Sequence, residues 1–251
     1  MITYEDINSE RTEKVRQFFD QSQHYLDRRK FDIRVRAETV VDLLKEDDSF
    51  TQILDIGCGD GSISIPLLSP QRHLTLLDIS TNMLANASAR VPVSLTSNVR
   101  CVNADFLVGI DNSERYDLVI CIGVLAHVSS PVEVVDKIAG LLNPGGILIV
   151  EFTDSTHFLR RLLSLYHASL GLFRRSLYTA NSYSGAWLLD VFTKRGFTLK
   201  AQFRYGFPWP GIHRVMSQKT LYRMVKSLFG SAKQNKNRWL GSEYICCFRL
   251  L

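Results

Sequence analysis

Apolar residues recur along this chain in two rhythms. From residue 53 onward the runs ILDI, HLTLLD, VRCVN, YDLVICI and ILIVEF are short, nearly continuous and rich in Val, Ile and Leu. Such runs read as strands buried on both faces. Between them, DISTNMLANASAR and PVEVVDKIAGLL carry apolar positions at helical spacing, as a helix with one buried face requires. Strand and helix therefore alternate through residues 50–154, which predicts an α/β core built on a parallel sheet. Ahead of it, the spacing predicts a helix over 10–29 with Val15, Phe18, Phe19, Tyr25 and Leu26 on one stripe. A second follows over 32–44 with Ile33, Val35, Val40, Val41 and Leu44, so residues 1–49 form an N-terminal helical cap. Beyond the core, AWLLDVFTKRGF reads as a helix stopped at Gly196, followed by the strand TLKAQFRY, and SEYICCFRLL as a last strand. Residues 185–207 and 241–251 thus complete one domain, leaving 155–184 and 208–240 as insertions.

The stretch ILDIGCGDGSIS predicts a strand, a tight turn and a helix start. Glycine tolerates φ > 0 and lets a ligand lie against the backbone, where N–H groups at a helix start face it. A dinucleotide site would place a third glycine three residues after the second, but Ser62 stands there. Charge separates the two readings further. Asp55 and Asp60 flank the turn; two carboxylates repel a pyrophosphate and favour a cationic ligand. A ligand with a sulfonium, an ammonium and no phosphate fits that field. Asp78 ends the next strand, 17 positions beyond Gly61, where a carboxylate accepts both ribose hydroxyl protons in a fork.

The spelling D-x-G-C-G-x-G over residues 55–61 resembles the class I S-adenosylmethionine-dependent methyltransferases. The resemblance is specific over residues 53–152. It implies a Rossmann-like, seven-stranded, mostly parallel sheet with helices on both faces, the last strand running antiparallel, and S-adenosyl-L-methionine as cofactor. It implies that Asp55, Gly57 and Gly59 form the cofactor turn and that Ile79 and Met83 wall the adenine. Asp105 would accept from the adenine amino group beside Phe106, and Cys121 would lie against the methionyl portion, with Gly123 beside it. From the cap, Tyr25 would cover the methionyl end, where a ring face attracts a cation, and Arg34 would hold the cofactor carboxylate. His127 lies just past the fourth strand in a V-L-x-H context. Ligands of open α/β sheets bind outside the carboxyl ends of the strands, so His127 is the candidate base, its imidazole titrating near neutrality.

Composition changes this picture in one respect. The 251 residues carry a net charge of +5, but residues 155–242 hold 15 Lys and Arg against a single acidic residue, Asp190. Residues 1–154 hold 14 basic and 23 acidic residues. The basic half contains both insertions, and each is amphipathic: THFLRRLLSLYHASLGLFRRSLY and TLYRMVKSLFGSAKQNKNRWL. Such segments serve as packed lids over an acceptor, as contacts to an anionic membrane surface, or as an RNA-binding face. The five cysteines show no C-x-x-C pair, so neither a disulfide framework nor a metal site is predicted. The polar, acidic start MITYEDINSE predicts no signal peptide, and no apolar run reaches membrane-span length, so the expected location is cytoplasmic, with peripheral membrane contact left open.

The segments VRQFF, DIRVR and GSISIPL are similar to magnesium-protoporphyrin methyltransferases, and the fourth strand to ubiquinone-biosynthesis O-methyltransferases. The expected function is methyl transfer to a small-molecule acceptor, with O-methylation of a hydrophobic, anionic or lipid-like metabolite as the leading version. Two alternatives stand beside it: an RNA methyltransferase using the basic half, and a cofactor-binding scaffold subunit without turnover.

Overall fold

The structure, a computed structural model, describes residues 4–20, 22–47, 49–159, 181–206 and 216–251, without the side chains of 4–10, 22–25 and 28. Two helices open the chain, α1 (Tyr4–Asp20) and α2 (Ser22–Leu44). The expected break near residue 30 falls inside α2, and the two described helices meet earlier, α1 ending at Asp20 and α2 starting at Ser22. The end of α1 is bound by the residues that open α3 (Thr81–Arg90) and by its cap Ser80. Ser80 Oγ donates to Asp20 Oδ1 (2.7 Å) and Asn82 Nδ2 to the Asp20 carbonyl (2.9 Å), which satisfies a helix end left open by the backbone.

The sheet strands are β1 (Gln52–Ile56), β2 (His73–Asp78), β3 (Val99–Asn103), β4 (Tyr116–Cys121), β5 (Leu142–Thr153), β6 (Phe197–Tyr205) and β9 (Glu243–Leu250). A separate two-residue ribbon, β7 (Gly230–Ser231) with β8 (Gln234–Asn235), supplies the intervening numbers. The seven sheet strands lie in the order β3-β2-β1-β4-β5-β9-β6. β9 is antiparallel to both neighbours, and the pairs among β1 to β5 are parallel. The α/β class and the seven-stranded, mostly parallel, Rossmann-like sheet expected from the sequence are observed.

Alternation along the buried strands divides the core in two. Leu54, Val119, Leu148, Val150 and Phe248 point to one face, where α5 (Pro131–Leu141) and α6 (Gly185–Thr193) cover them with Val134, Ile138, Leu188 and Phe192. Ile53, Leu118, Ile149 and Ile245 point to the other. There α2, α3 and α7 (Gln218–Phe229) supply Val35, Val40, Leu84, Ala87, Val225 and Phe229. The expected packing of helices on both faces therefore holds.

Two expectations about the flanking segments change. The helix start after the glycine turn is only a 3-10 turn, Ile65–Leu67. Pro66 occupies its first turn and Pro70 follows closely; each lacks the N–H that an α-helix would use. The described part of the second insertion, 216–240, is not a roof over the cavity. Its helix α7 buries Leu221, Val225 and Phe229 and packs along α2, where Tyr222 Oη donates to both Glu38 carboxylate oxygens (2.7 and 2.8 Å). An amphipathic basic helix needs an apolar surface for its stripe, and the sheet face supplies it. Residues 160–180 of the first insertion and 207–215 of the second lie outside the described residues.

Candidate active site

The strand order reverses between β1 and β4, each flanked outward by strands that follow it in sequence. Connections leave in opposite directions at such a point and open a crevice at the carboxyl ends of the strands. A cavity lies there, floored by Gly57–Asp60 and Gly123 and walled by Ile79, Met83, Asp105, Phe106 and His127. The cap closes it with Arg11, Thr12, Val15 and Phe19 from α1 and Ile33 and Arg36 from α2.

The floor depends on glycine. Gly57, Gly59 and Gly61 have φ of 65°, 54° and 71°, the left-handed region that side chains disfavour. A Cβ at Gly57 would stand 2.5 Å from Val124 Cγ2, whereas one at Gly59 would meet nothing within 4 Å. The space above Gly59 belongs to the cavity, so a ligand can lie directly on the backbone.

Asp78 ends β2 at the cavity wall. Its Oδ2 accepts from the Gly59 backbone N–H (2.9 Å) and its Oδ1 from that of Ser80 (2.9 Å). One carboxylate thus ties the glycine turn to the start of α3. Burial pushes its pKa up, against the pull of those backbone donors. Asp105 caps the short helix α4 (Phe106–Gly109), accepting from Leu107 N (2.8 Å), and its other oxygen faces Thr12 Oγ1 at 3.4 Å. Met83 and Phe106 are buried wall residues, and Ile79 is half-buried. Asp60, flanking the turn, is held by Arg90 Nη1 (2.5 Å).

His127 is half-buried, packed edge-to-face on Phe19 with ring centroids 5.2 Å apart, and its carbonyl accepts from Arg11 Nε (3.1 Å). Burial, with Arg11 and then Arg36 nearby, lowers its pKa to about 4. At neutral pH the ring is an uncharged imidazole, able to accept a proton but weakly basic for that task.

Three expected site residues stand elsewhere, and the side chain of a fourth, Tyr25, is not among those described. Asp55 is buried beneath the turn, where Ser64 Oγ donates to it (2.5 Å), and it does not line the cavity. Cys121 points into the core between the sheet and α5, because alternation along β4 turns it away, and burial raises its thiol pKa. Arg34 is solvent-exposed, paired with Glu38 (2.9 Å) and lying over the Tyr222 ring (4.0 Å to the centroid). Positions two apart on a helix point in nearly opposite directions, so Arg36, not Arg34, reaches the cavity. Tyr25 falls within α2, but its side chain lies outside the described residues. Arg11, Thr12, Phe19 and Arg36 are among the lining residues that the sequence reasoning missed. The helical period of the segment DIRVR was the available signal for Arg36.

The buried Asp55 has a measurable consequence. Burial pushes its pKa up to about 7, above the unfolded value, so the native state binds the extra proton. The associated stability is present below about pH 4 and is lost as pH rises through about 7. Relative to Asp55→Asn, which keeps an acceptor for Ser64, the wild-type protein should lose on the order of 2 kcal/mol between about pH 5 and 7.5. Urea denaturation across that range tests this. A constant difference between the two proteins would mean that Asp55 does not titrate there.

Residues 54–148 match the family model described as a methyltransferase domain. That segment is similar to methyltransferase domains. The match spans β1 to the middle of β5, the strands that carry the cavity floor and most of its walls. The chain is 28% identical over 127 residues to the ubiquinone biosynthesis O-methyltransferase of Rickettsia typhi, covering 49% of this chain and 50% of that protein. The chain spans about half the length of the curated relatives it matches. The fold extends further than the sequence similarity. Magnesium protoporphyrin IX methyltransferase from Synechocystis PCC 6803, crystallised with SAH, superposes with a TM-score of 0.65 at 18% identity over 96% of this chain and 100% of that one. The N-methyltransferase NodS of Bradyrhizobium japonicum WM9, also with SAH, superposes with a TM-score of 0.57 at 16% identity over 90% of each chain.

Proposed function

We propose that this chain binds S-adenosyl-L-methionine in the crevice between β1 and β4 and transfers its methyl group to a small-molecule acceptor. The observation that carries the reading is Asp78. It is a buried carboxylate at the crevice wall, raised by burial and beside a glycine floor with open space above Gly59. A phosphate-bearing cofactor would meet the carboxylates of Asp60, Asp78 and Asp105 along this cavity; a nucleoside with a cationic tail meets complementary charge. The cofactor, when bound, supplies a methyl group already activated on a sulfonium.

The chain's residues then bind, orient and exclude water. Asp78 receives the ribose hydroxyls, Ile79, Met83 and Phe106 enclose the adenine, and Asp105 accepts from its amino group. Arg36, at the Gly123 side of the cavity, receives the amino-acid carboxylate, the role expected of Arg34. His127, neutral and walled by Phe19, accepts the proton of a hydroxyl acceptor; an acceptor that is itself a carboxylate needs no base. Alignment of acceptor and methyl group supplies most of the rate, because a bound, oriented pair avoids the entropy cost of encounter.

The favoured acceptor is an apolar or anionic metabolite. The cap presents Val15, Phe19 and Ile33 to the cavity together with Arg11, whose buried Nη2 has no hydrogen-bond partner. A carboxylate or phenolate would satisfy that donor. Peripheral contact with an anionic membrane surface belongs to the same reading. It is supported by the basic charge of residues 155–242 and by Phe158 and Trp239, which stack at 6.0 Å while staying half-exposed. No described helix is long and apolar enough to cross a membrane.

Incubation with methyl-labelled S-adenosylmethionine and a cell extract, followed by separation into lipid, water-soluble, RNA and protein fractions, tests the reading. Label should enter a small-molecule fraction, and His127→Ala should slow that transfer by at least about tenfold while leaving cofactor affinity unchanged. Label in RNA would overturn the acceptor class. Undiminished turnover by His127→Ala would remove the imidazole from the reaction.

A further inference from the structure

Arg36 sits in a buried polar cluster that the sequence pattern alone did not single out. Glu151, on β5, holds one edge of the guanidinium: Arg36 Nε donates to Oε1 (2.9 Å), and Nη2 lies in ion-pair contact with Oε2 (2.8 Å), a buried oxygen that makes no hydrogen bond. Asp32, one turn earlier on α2, stands 3.7 Å from Nη2. Tyr205, at the end of β6, places its hydroxyl 2.8 Å from Asp32 Oδ1 and 3.0 Å from Glu151 Oε1. Three elements from opposite ends of the sequence thus converge on one side chain. The cluster adjoins the cavity, since a Cβ at Gly123 would lie 3.8 Å from both Arg36 Nη1 and Glu151 Oε2.

A guanidinium is planar, so one hydrogen bond at Nε and an ion-pair contact at the neighbouring Nη2 orient the remaining edge. With its Nε and Nη2 edge held by Glu151, the Nη1 edge of Arg36 is directed at the Gly123 wall. We propose that Glu151 and Tyr205 are positioning residues that aim Arg36 at the carboxylate of the cofactor's amino-acid end. The Tyr205 hydroxyl has one hydrogen and stands between the two carboxylates, so it donates to one of them at a time. Burial raises the Glu151 pKa, while Arg36 beside it pulls it down. The cluster is enclosed by β5, β6, β9 and α2. The other charged groups facing it are Arg29, whose Nη1 donates to Asp32 (3.2 Å), and Glu243, which burial and Glu151 push up to about 7.

This inference rests on the reading that the cavity binds S-adenosylmethionine, and the test separates the two. Binding of S-adenosylhomocysteine and of 5′-methylthioadenosine, which keeps the nucleoside and sulfur but lacks the amino acid, is measured by calorimetry. Wild-type protein, Glu151→Gln, Tyr205→Phe and Arg36→Lys are compared, and thermal melts report folding. Wild type should bind both ligands. Glu151→Gln should weaken S-adenosylhomocysteine by at least about tenfold, the size of one charge-assisted hydrogen bond, and leave 5′-methylthioadenosine within about twofold. Tyr205→Phe, which removes one hydroxyl and serves if Glu151→Gln does not fold, should move the same ligand alone by a smaller factor. A parallel loss of both ligands would reduce Glu151 and Tyr205 to structural roles and overturn the proposal, as would unchanged affinity for both. Wild-type protein that binds neither ligand would overturn the cofactor reading itself, and the positioning role with it.

Discussion

Asp78→Ala should abolish useful cofactor affinity, weakening S-adenosylmethionine by about a hundredfold. Two charge-assisted hydrogen bonds to a ribose account for roughly 3 kcal/mol, and every 1.4 kcal/mol is about tenfold. The same carboxylate accepts the backbone N–H groups of Gly59 and Ser80, so its removal also releases the floor from α3. Asp78→Asn separates the contributions. The amide keeps one acceptor oxygen for the backbone and offers a donor where the ribose needs a second acceptor. Because the two carboxylate oxygens accept one backbone N–H each, Asn should recover only part of the stability lost in Asp78→Ala, and should not restore binding. Calorimetry and urea denaturation of the two variants measure both quantities. Wild-type affinity in Asp78→Ala would show that the ribose is held elsewhere.

The second large effect is expected at Gly57. Alanine there must adopt a φ near 65°, at a cost of about 1–2 kcal/mol. It must also place its methyl 2.5 Å from Val124 Cγ2, and relieving such an overlap in a packed site costs about 1–3 kcal/mol. Gly57→Ala should lose about 2–4 kcal/mol of stability and most cofactor affinity, because Val124 can move only into the cavity wall it forms. Gly59→Ala makes the useful contrast. It meets backbone strain but no atom within 4 Å, so it should fold more stably than Gly57→Ala while still losing affinity, its methyl occupying the ligand's space. Equal stability of the two variants would mean that the contact with Val124 is relieved without cost.

Much of this arrangement was legible from residue order. Strands buried on both faces must be continuously apolar, so β1, β2, β4 and β5 announced themselves, and the glycines with Asp78 marked where those strands deliver a ligand. Ser80, Asp105 and Ser130 cap the helices that follow them because cap chemistry is local. The 3-10 turn at Ile65–Leu67 was equally local, written in Pro66 and Pro70, though the glycine motif suggested a full helix.

What the tertiary structure decided is which side chains of each element face the crevice. The sequence by itself determined the α/β class, the glycine floor, and Asp78, Met83, Asp105 and His127 as residues near the strand ends. It did not determine that α1 ends at Asp20 with that residue bound by Ser80 and Asn82, some 60 residues away. Nor did it separate Arg34 from Arg36, because the phase of a helix is set by the surface it packs against. Asp55 shares β1 with Ile56 of the cavity, and Cys121 ends β4 just before Ile122 and Gly123, yet strand alternation and packing turn both inward. The cluster of Arg36, Glu151 and Tyr205 joins residues far apart in the chain. Its existence depends on the order of strands β5, β9 and β6, which long-range pairing alone establishes.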